Sequence, residues 1–282
     1  LDPLNFITII ITITAGTIFL MWLGELITEK KIGNGISLLI FAGIIAGVPQ
    51  SFQQIIATYN SSQFFMILGF IIVAILTILG VVYVTEGQRN IPVQYARQMH
   101  GGHSYGGSTT HLPLRVNMAG VIPIIFAVSI LMFPSMIAQF FVTSKVAWLA
   151  TASAWVIKAI QDQWVYGIAY FILVVVFTYF YTEVVFHPDR VAENLQKQGG
   201  FIPGIRPGQP TARYLANIMH KITLAGALFL GVIAILPLIM RSITGVQALA
   251  IGGTSLLIVV SVVIETVKQI EAQMTMRQYD GY

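Results

Sequence analysis

Long apolar runs alternate with polar stretches along this chain, and runs of spanning length fall at about 4–24, 36–56, 64–84, 116–141, 165–186, 222–240 and 249–267. Each is close to the roughly 20 residues that an α-helix needs to cross the hydrocarbon layer. The apolar positions are continuous rather than alternating, and unpaired backbone groups are costly in hydrocarbon, so the runs predict helices and not barrel strands. The pattern predicts an all-α, polytopic transmembrane helical bundle with seven crossings and its two ends on opposite sides. A further segment, Lys145 to Gln161, mixes Trp148 and Trp155 with small and apolar residues and predicts a helix lying at the membrane interface.

Between the runs the charges separate by side. Lys30, Lys31, Arg89, Arg97, Arg115, Arg190, Lys197, Arg206, Arg213, Lys221, Lys268 and Arg277 follow the odd-numbered spans, whereas Lys145, Lys158 and Arg241 fall on the other side. The positive-inside bias makes the richer side cytoplasmic, which puts the amino end outside and the carboxyl end in the cytoplasm. Two cytoplasmic loops, about 85–115 and 187–221, are longer than a helix–helix connection requires. Gly101-Gly102 and Gly106-Gly107 flank Ser104 and Tyr105 in the first and suit a hairpin turn. The second carries a punctuated tip, Pro203-Gly204-Ile205-Arg206-Pro207-Gly208.

Composition narrows the chemistry. Of the 282 residues, 56% are hydrophobic and only 9% charged, an imbalance that a soluble core cannot absorb. Zero cysteines exclude disulfides, thiolate catalysis and cysteine-held metals. Glu25, Glu86, Glu183 and Glu265 sit at the cytoplasmic margins of their spans, so the mid-membrane carboxylates of a proton relay are missing. Lys268 lies too near a span end for a buried Schiff base and reads as a snorkelling side chain. His100, His103, His111, His187 and His220 form no catalytic or metal-ligand motif, and the Gly-rich stretches lack a phosphate-loop pattern, so neither an enzyme nor a cofactor is expected. The chain opens on Leu1-Asp2-Pro3 without an initiator Met and reads as a fragment.

Small and helix-bending residues remain inside the spans. Gly43 and Gly47 form a GxxxG step suited to close helix approach, and Pro49, Pro123 and Pro134 remove backbone hydrogen bonds. Ile36 and Ile40 lie one turn apart on one face, which fits either a lipid stripe or a pore lining. A secondary transporter with a midplane site and a seven-helix receptor are the competing classes. The first lacks mid-membrane ionisable groups, and the second lacks a polar cluster in the outer halves of its spans.

Four stretches taken together resemble the SecY family of channel subunits: Gly33-Asn34-Gly35-Ile36-Ser37 leading into IFAGIIAG, THLPLRVNMAGVIPIIF at 110–126, NLQKQGGFIPGIRPG at 194–208, and GGTSLLIVV at 252–260. Their order agrees with the map of spans and loops. Members of that family have ten spans, so the resemblance implies that this chain corresponds to the fourth through tenth and lacks the first three with their plug segment. Residues 1–60 would be the last two spans of the amino-terminal half, and 61–282 the carboxyl-terminal half with five spans.

The resemblance implies a passive conduit in the bacterial cytoplasmic membrane. It would pass signal-peptide-bearing, unfolded polypeptides and release hydrophobic segments sideways into lipid. Matched by motif, Ile36, Ile40, Ile125 and Ile258 would contribute to the family's apolar pore ring, and Phe133 would lie on one wall of the lateral gate. Ile36 stands at the start of its apolar run whereas Ile125 and Ile258 stand near mid-span, which puts the start of the second helix at the bottom of a funnel. The implied partners are the SecE and SecG subunits, with the SecA motor ATPase or a ribosome docking on the two long loops. Arg206, with Gly204 and Pro207, matches the coupling tip, and His103 and Tyr105 belong to the other tip. Gly102 and His103 stand where relatives often carry basic residues.

Overall fold

The computed structural model describes residues 3–31, 33–57, 64–95, 98–100, 103–105, 109–144, 146–244 and 252–279. The helices are α1 (Pro3–Glu29), α2 (Gly35–Ala57), α3 (Phe64–Glu86), α4 (Ile122–Phe141), α5 (Ala147–Gln161), α6 (Gln163–Val185), α7 (Pro188–Lys197), α8 (Gln209–Thr244) and α9 (Gly252–Tyr279). Five short strands accompany them: β1 (Gln88–Tyr95), β2 (Gln98–His100), β3 (His103–Tyr105), β4 (Thr109–Arg115) and β5 (Gly200–Phe201). Among the described residues, α1, α2, α3, α4, α6 and α8 are long and apolar enough to cross a membrane. The expected seventh span, 249–267, is helical from Gly252 as α9, and its residues 249–251 lie outside the described residues.

The chain divides into two compact units, residues 1–78 with 255–282, and residues 79–254. In the first, α1 and α2 form a tight hairpin. Glu29 is the last residue of α1, and Lys31 follows in the left-handed conformation (φ 58°), its amide donating to the Thr28 carbonyl at 2.9 Å. Asn34 then caps α2, its side-chain oxygen accepting from the Ser37 amide at 3.2 Å. Thr28 joins the two helices: its hydroxyl donates to the Gly24 carbonyl and accepts from the Gly35 amide, both at 2.9 Å. A Cβ at Gly35 would lie 1.8 Å from the Gly24 carbonyl oxygen, so the chain crosses itself here backbone on backbone. By contrast, a Cβ at Gly43 or Gly47 would meet no described atom within 4 Å, so the GxxxG step is not the contact that pairs these helices. Near the same turn, the Gln273 side chain of α9 donates to the Lys31 carbonyl. The first five turns of α1 are exposed, an apolar surface that only lipid or other spans can cover.

In the second unit, α6 packs along α8 and against α4, and α5 packs on α4 and α6. The α6–α8 approach is close enough that a Cβ at Gly231 would fall 2.6 Å from the Phe171 ring. Phe126 of α4 stacks on Phe177 of α6 with centroids 5.9 Å apart. Pro123 sits in the first turn of α4, where its missing N–H leaves no helix bond unmade, so it bends nothing. Pro134 in α4 and Pro49 in α2 do lie inside their helices. The segment expected to lie at the interface is helical as α5, with Trp148 and Trp155 exposed.

The two long polar loops are folded, and this is the main departure from the expectation of helices and turns alone. Strands β4, β1 and β5 form an antiparallel sheet in that order, with Ile91 opposite Leu112 and Gln94 opposite Phe201. Ile91, Val93 and Leu114 of this sheet are buried with Leu195 of α7, Ile202, and Leu215, Ile218, Met219 and Ile222 of α8. At about 1.5 Å per residue the 36 residues of α8 reach about 54 Å, well beyond the roughly 30 Å hydrocarbon layer. Its amino-terminal third is therefore the backbone of the sheet subdomain, and the expected span at 222–240 is only its apolar remainder.

Candidate functional site

The tip at 202–208 is built by backbone rules. Ile202, Pro203, Gly204 and Ile205 form a type II turn closed by the Ile205 amide donating to the Ile202 carbonyl at 3.0 Å, and Gly204 has the φ of +81° that this turn demands at its third residue. Ile202 is buried and Ile205 packs against the same core, so both ends of the turn are anchored in the sheet subdomain. Arg206 follows with its side chain exposed, next to exposed Pro207. Its carbonyl accepts a 2.9 Å hydrogen bond from the buried Thr211 hydroxyl in the first turn of α8. The guanidinium is thus held out on a backbone fixed from both sides, a geometry suited to paired hydrogen bonds with a carboxylate or phosphate. Arg89, Arg115, Arg190 and Arg213 are exposed on the same subdomain. On α7, Lys197 pairs with Glu193 at 2.7 Å, and its hydrogen bond and charge hold the Glu193 carboxyl below its usual pKa.

In the other loop, β2 and β3 pair as an antiparallel hairpin with His100 opposite His103, so Ser104 and Tyr105 lie in a strand and not in the turn. His103 and Tyr105 lie on β3, while the side chains of 96–109 and the whole of Gly101, Gly102, Gly106 and Gly107 fall outside the described residues.

Ile36 and Ile40 lie in the first two turns of α2 and Ile258 in the second turn of α9, all in the first unit, whereas Ile125 belongs to the second. Ile125 is not at mid-span: residues 116–121 are non-helical, so it falls in the first turn of α4, as Ile36 does in α2. Ile40, Ile125 and Ile258 are half-buried, and Ile36 is more than half exposed although its side chain also lies against Gly24. Phe133 is 62% exposed and belongs to an apolar stripe on α4 with Phe126, Ile130, Ile137 and Phe140, at spacings of four and three residues. Sequence reading singled out Phe133 without this face.

Glu25, Glu86 and Glu183 lie within the last five residues of α1, α3 and α6, as expected for span margins. Glu265 differs, because α9 continues fourteen residues beyond it to Tyr279. Two supporting groups escaped the sequence reading, the Thr28 bridge and the Thr211 tether. Neither carries a periodic or compositional signal, since each matters only through one backbone partner.

These features define a multi-helix membrane protein with a basic, folded polar subdomain carried on one long helix. A family model described as SecY matches residues 2–267, and the chain belongs to the SecY family. The chain is 47% identical to the protein translocase subunit SecY of Halalkalibacterium halodurans over 98% of its own length and 65% of that protein's. It is 46% identical to the subunit of Corynebacterium glutamicum, covering 98% of this chain and 64% of the relative. For Mycobacterium tuberculosis strain H37Rv the identity is 45%, over 98% and 63%. The chain thus spans just under two thirds of the length of these relatives. Among solved structures, one described as that of a protein conducting channel matches with a TM-score of 0.63 at 22% identity, over 97% of this chain and 67% of the other. A second, of the SecY protein and its plug domain, matches at 0.62 with the same identity and coverage. Both support the fold.

Proposed function

We propose that this chain is part of a protein-conducting channel subunit that passes unfolded secretory polypeptides across the bacterial cytoplasmic membrane and releases membrane segments sideways into lipid. The family match over residues 2–267 carries this reading. The four ring isoleucines are apolar and none is fully buried, which suits a constriction that excludes water and ions yet yields around an extended chain without gripping any sequence. Phe133 and its stripe give α4 an apolar face suited to one wall of a lateral gate. The activity is conduction and no bond is made or broken, so the energy must come from a partner.

The rigid Arg206 tip, with Gly204 and Pro207 shaping it, is the docking point for a SecA-type motor or a ribosome, and the β2–β3 hairpin with His103 and Tyr105 is a second contact. SecE and SecG are the companion subunits. The basic subdomain lies in the cytoplasm, in keeping with the positive-inside bias, with the amino end of α1 outside. Arg206→Glu in the full-length protein is expected to impair motor-driven export in a vesicle translocation assay while membrane insertion and assembly stay normal. Normal export by that variant would overturn the docking role.

A further inference from the structure

The α1–α2 turn puts Lys31 at a φ of 58°, a region that residues other than glycine seldom adopt. The carbonyl of this residue accepts from the Gln273 side chain of α9. Two helical turns before Gln273 stands Thr266, and a Cβ at Gly33 would lie 3.3 Å from the Thr266 hydroxyl. The turn is therefore held against α9 at two points seven residues apart, by a hydrogen bond at one and by close packing at the other. Both points belong to the part of α9 that continues past Glu265 to Tyr279.

The same side of α9 carries a proposed ring residue. Ile258, Val262, Thr266, Gln269 and Gln273 recur at spacings of four and three, which places them on one stripe of the helix. At about 1.5 Å per residue, Ile258 stands about 12 Å from Thr266 and about 22 Å from Gln273 along the axis. On the other side of the contact, Ile36 follows the turn directly. Gly35 meets Gly24 backbone on backbone, and the Thr28 hydroxyl bridges the Gly24 carbonyl and the Gly35 amide. The turn and the first residues of α2 thus form one rigid piece, and any shift of the turn on α9 moves Ile36 and Ile40 relative to Ile258. The gap between those side chains is what an apolar constriction depends on to exclude water.

We propose that the extension of α9 beyond Glu265 is a latch, in which Gln273 and Thr266 are positioning residues that hold the α1–α2 turn and so set Ile36 and Ile40 relative to Ile258. The consequence for sealing rests on the channel reading of these isoleucines, whereas the latch itself does not.

The test uses the full-length protein with its companion subunits, in a background free of other cysteines. Spin labels at Ile45→Cys on α2 and Val263→Cys on α9, both exposed positions, report the separation of the two helices by pulsed electron resonance. Gln273→Leu keeps a side chain of similar size and helix preference but removes the donor. It is expected to broaden or lengthen that separation by several ångströms and to raise the resting ion conductance in planar bilayers several-fold. Thr275→Ala, whose hydroxyl donates within α9 to the Glu271 carbonyl, should change neither. Lys31→Cys with Gln273→Cys should behave as Gln273→Leu until the two thiols are joined by a short bismaleimide, which should restore both the separation and the low conductance. A general loss of stability would not be reversed by that link. An unchanged separation in Gln273→Leu would overturn the latch. A changed separation with unchanged conductance would overturn its hold on the ring, and whether the ring itself exists is read separately, from Ile40→Ser with Ile125→Ser and Ile258→Ser.

Discussion

A methyl group added at Gly35 would lie 1.8 Å from the Gly24 carbonyl oxygen, and neither atom belongs to a side chain that could turn away. Relief requires α1 and α2 to separate, which also breaks the Thr28 bridge to the Gly35 amide. Overpacking of this kind costs about 1–3 kcal/mol, and the lost hydrogen bond adds about 1 kcal/mol. Gly35→Ala in the full-length protein is expected to lower the melting temperature of the detergent-solubilised complex, whereas Gly43→Ala, with open space at its Cβ, should leave it unchanged. Equal melting temperatures for the two variants would refute the backbone contact. The glycines that bring α1 and α2 together are not those of the GxxxG step, for a physical reason. A GxxxG step reports that a helix could be approached closely, but whether a neighbour comes there depends on the turn that brings it back. In this chain that turn is written in Thr28, Asn34 and Gly35.

At the level of elements, hydropathy resolved the long apolar helices well and was blind to what lies between them. Ile91, Val93 and Tyr95 alternate with Pro92 and Gln94, and Leu112, Leu114 and Val116 with Pro113 and Arg115, and that period of two is the signature of paired strands. Its neighbours are glycine-rich turns and basic residues, so a scan for apolar runs passes over it. The amino-terminal third of α8 is hidden in the same way: Leu215, Ile218, Met219 and Ile222 recur at helical spacing among Arg213, His220 and Lys221. Because α8 serves both the sheet core and the membrane, the tip and the spanning bundle of this unit share one continuous rod. Leu215 is fully buried in that core, and truncating it should cost about 2–5 kcal/mol. Leu215→Ala is expected to speed hydrogen exchange at the β1 and β4 amides, with little change in α6. Leu224→Ala, half-exposed further along the helix, should leave the strand amides as they were. If both variants exchange alike, α8 does not organise the sheet.

On the scale of the whole molecule, the four isoleucines proposed for the ring gave no signal of their own. Isoleucine is abundant throughout the spans, and only the motifs around Ile36, Ile40, Ile125 and Ile258 set these four apart from residues that face lipid. Their burial does bear on the proposal. A residue that merely filled a helix interface would be buried, as Ile124 is beside Ile125 and Leu257 beside Ile258, yet the proposed ring members keep part of their surface. They belong to separate units, so the proposal must be tested in the full-length protein. An apolar constriction blocks ions by excluding water from the narrowest level, and that barrier depends on the side chains being both bulky and apolar. Replacing Ile40, Ile125 and Ile258 together with Ser removes both properties at once while leaving the helices intact. The full-length channel so altered, reconstituted in planar bilayers with its partners but without substrate, is expected to show a raised resting ion conductance. Serine at Ile124 and Leu257 instead should destabilise the protein without opening it. Resting conductance unchanged in the triple variant would mean that these isoleucines do not seal the pore.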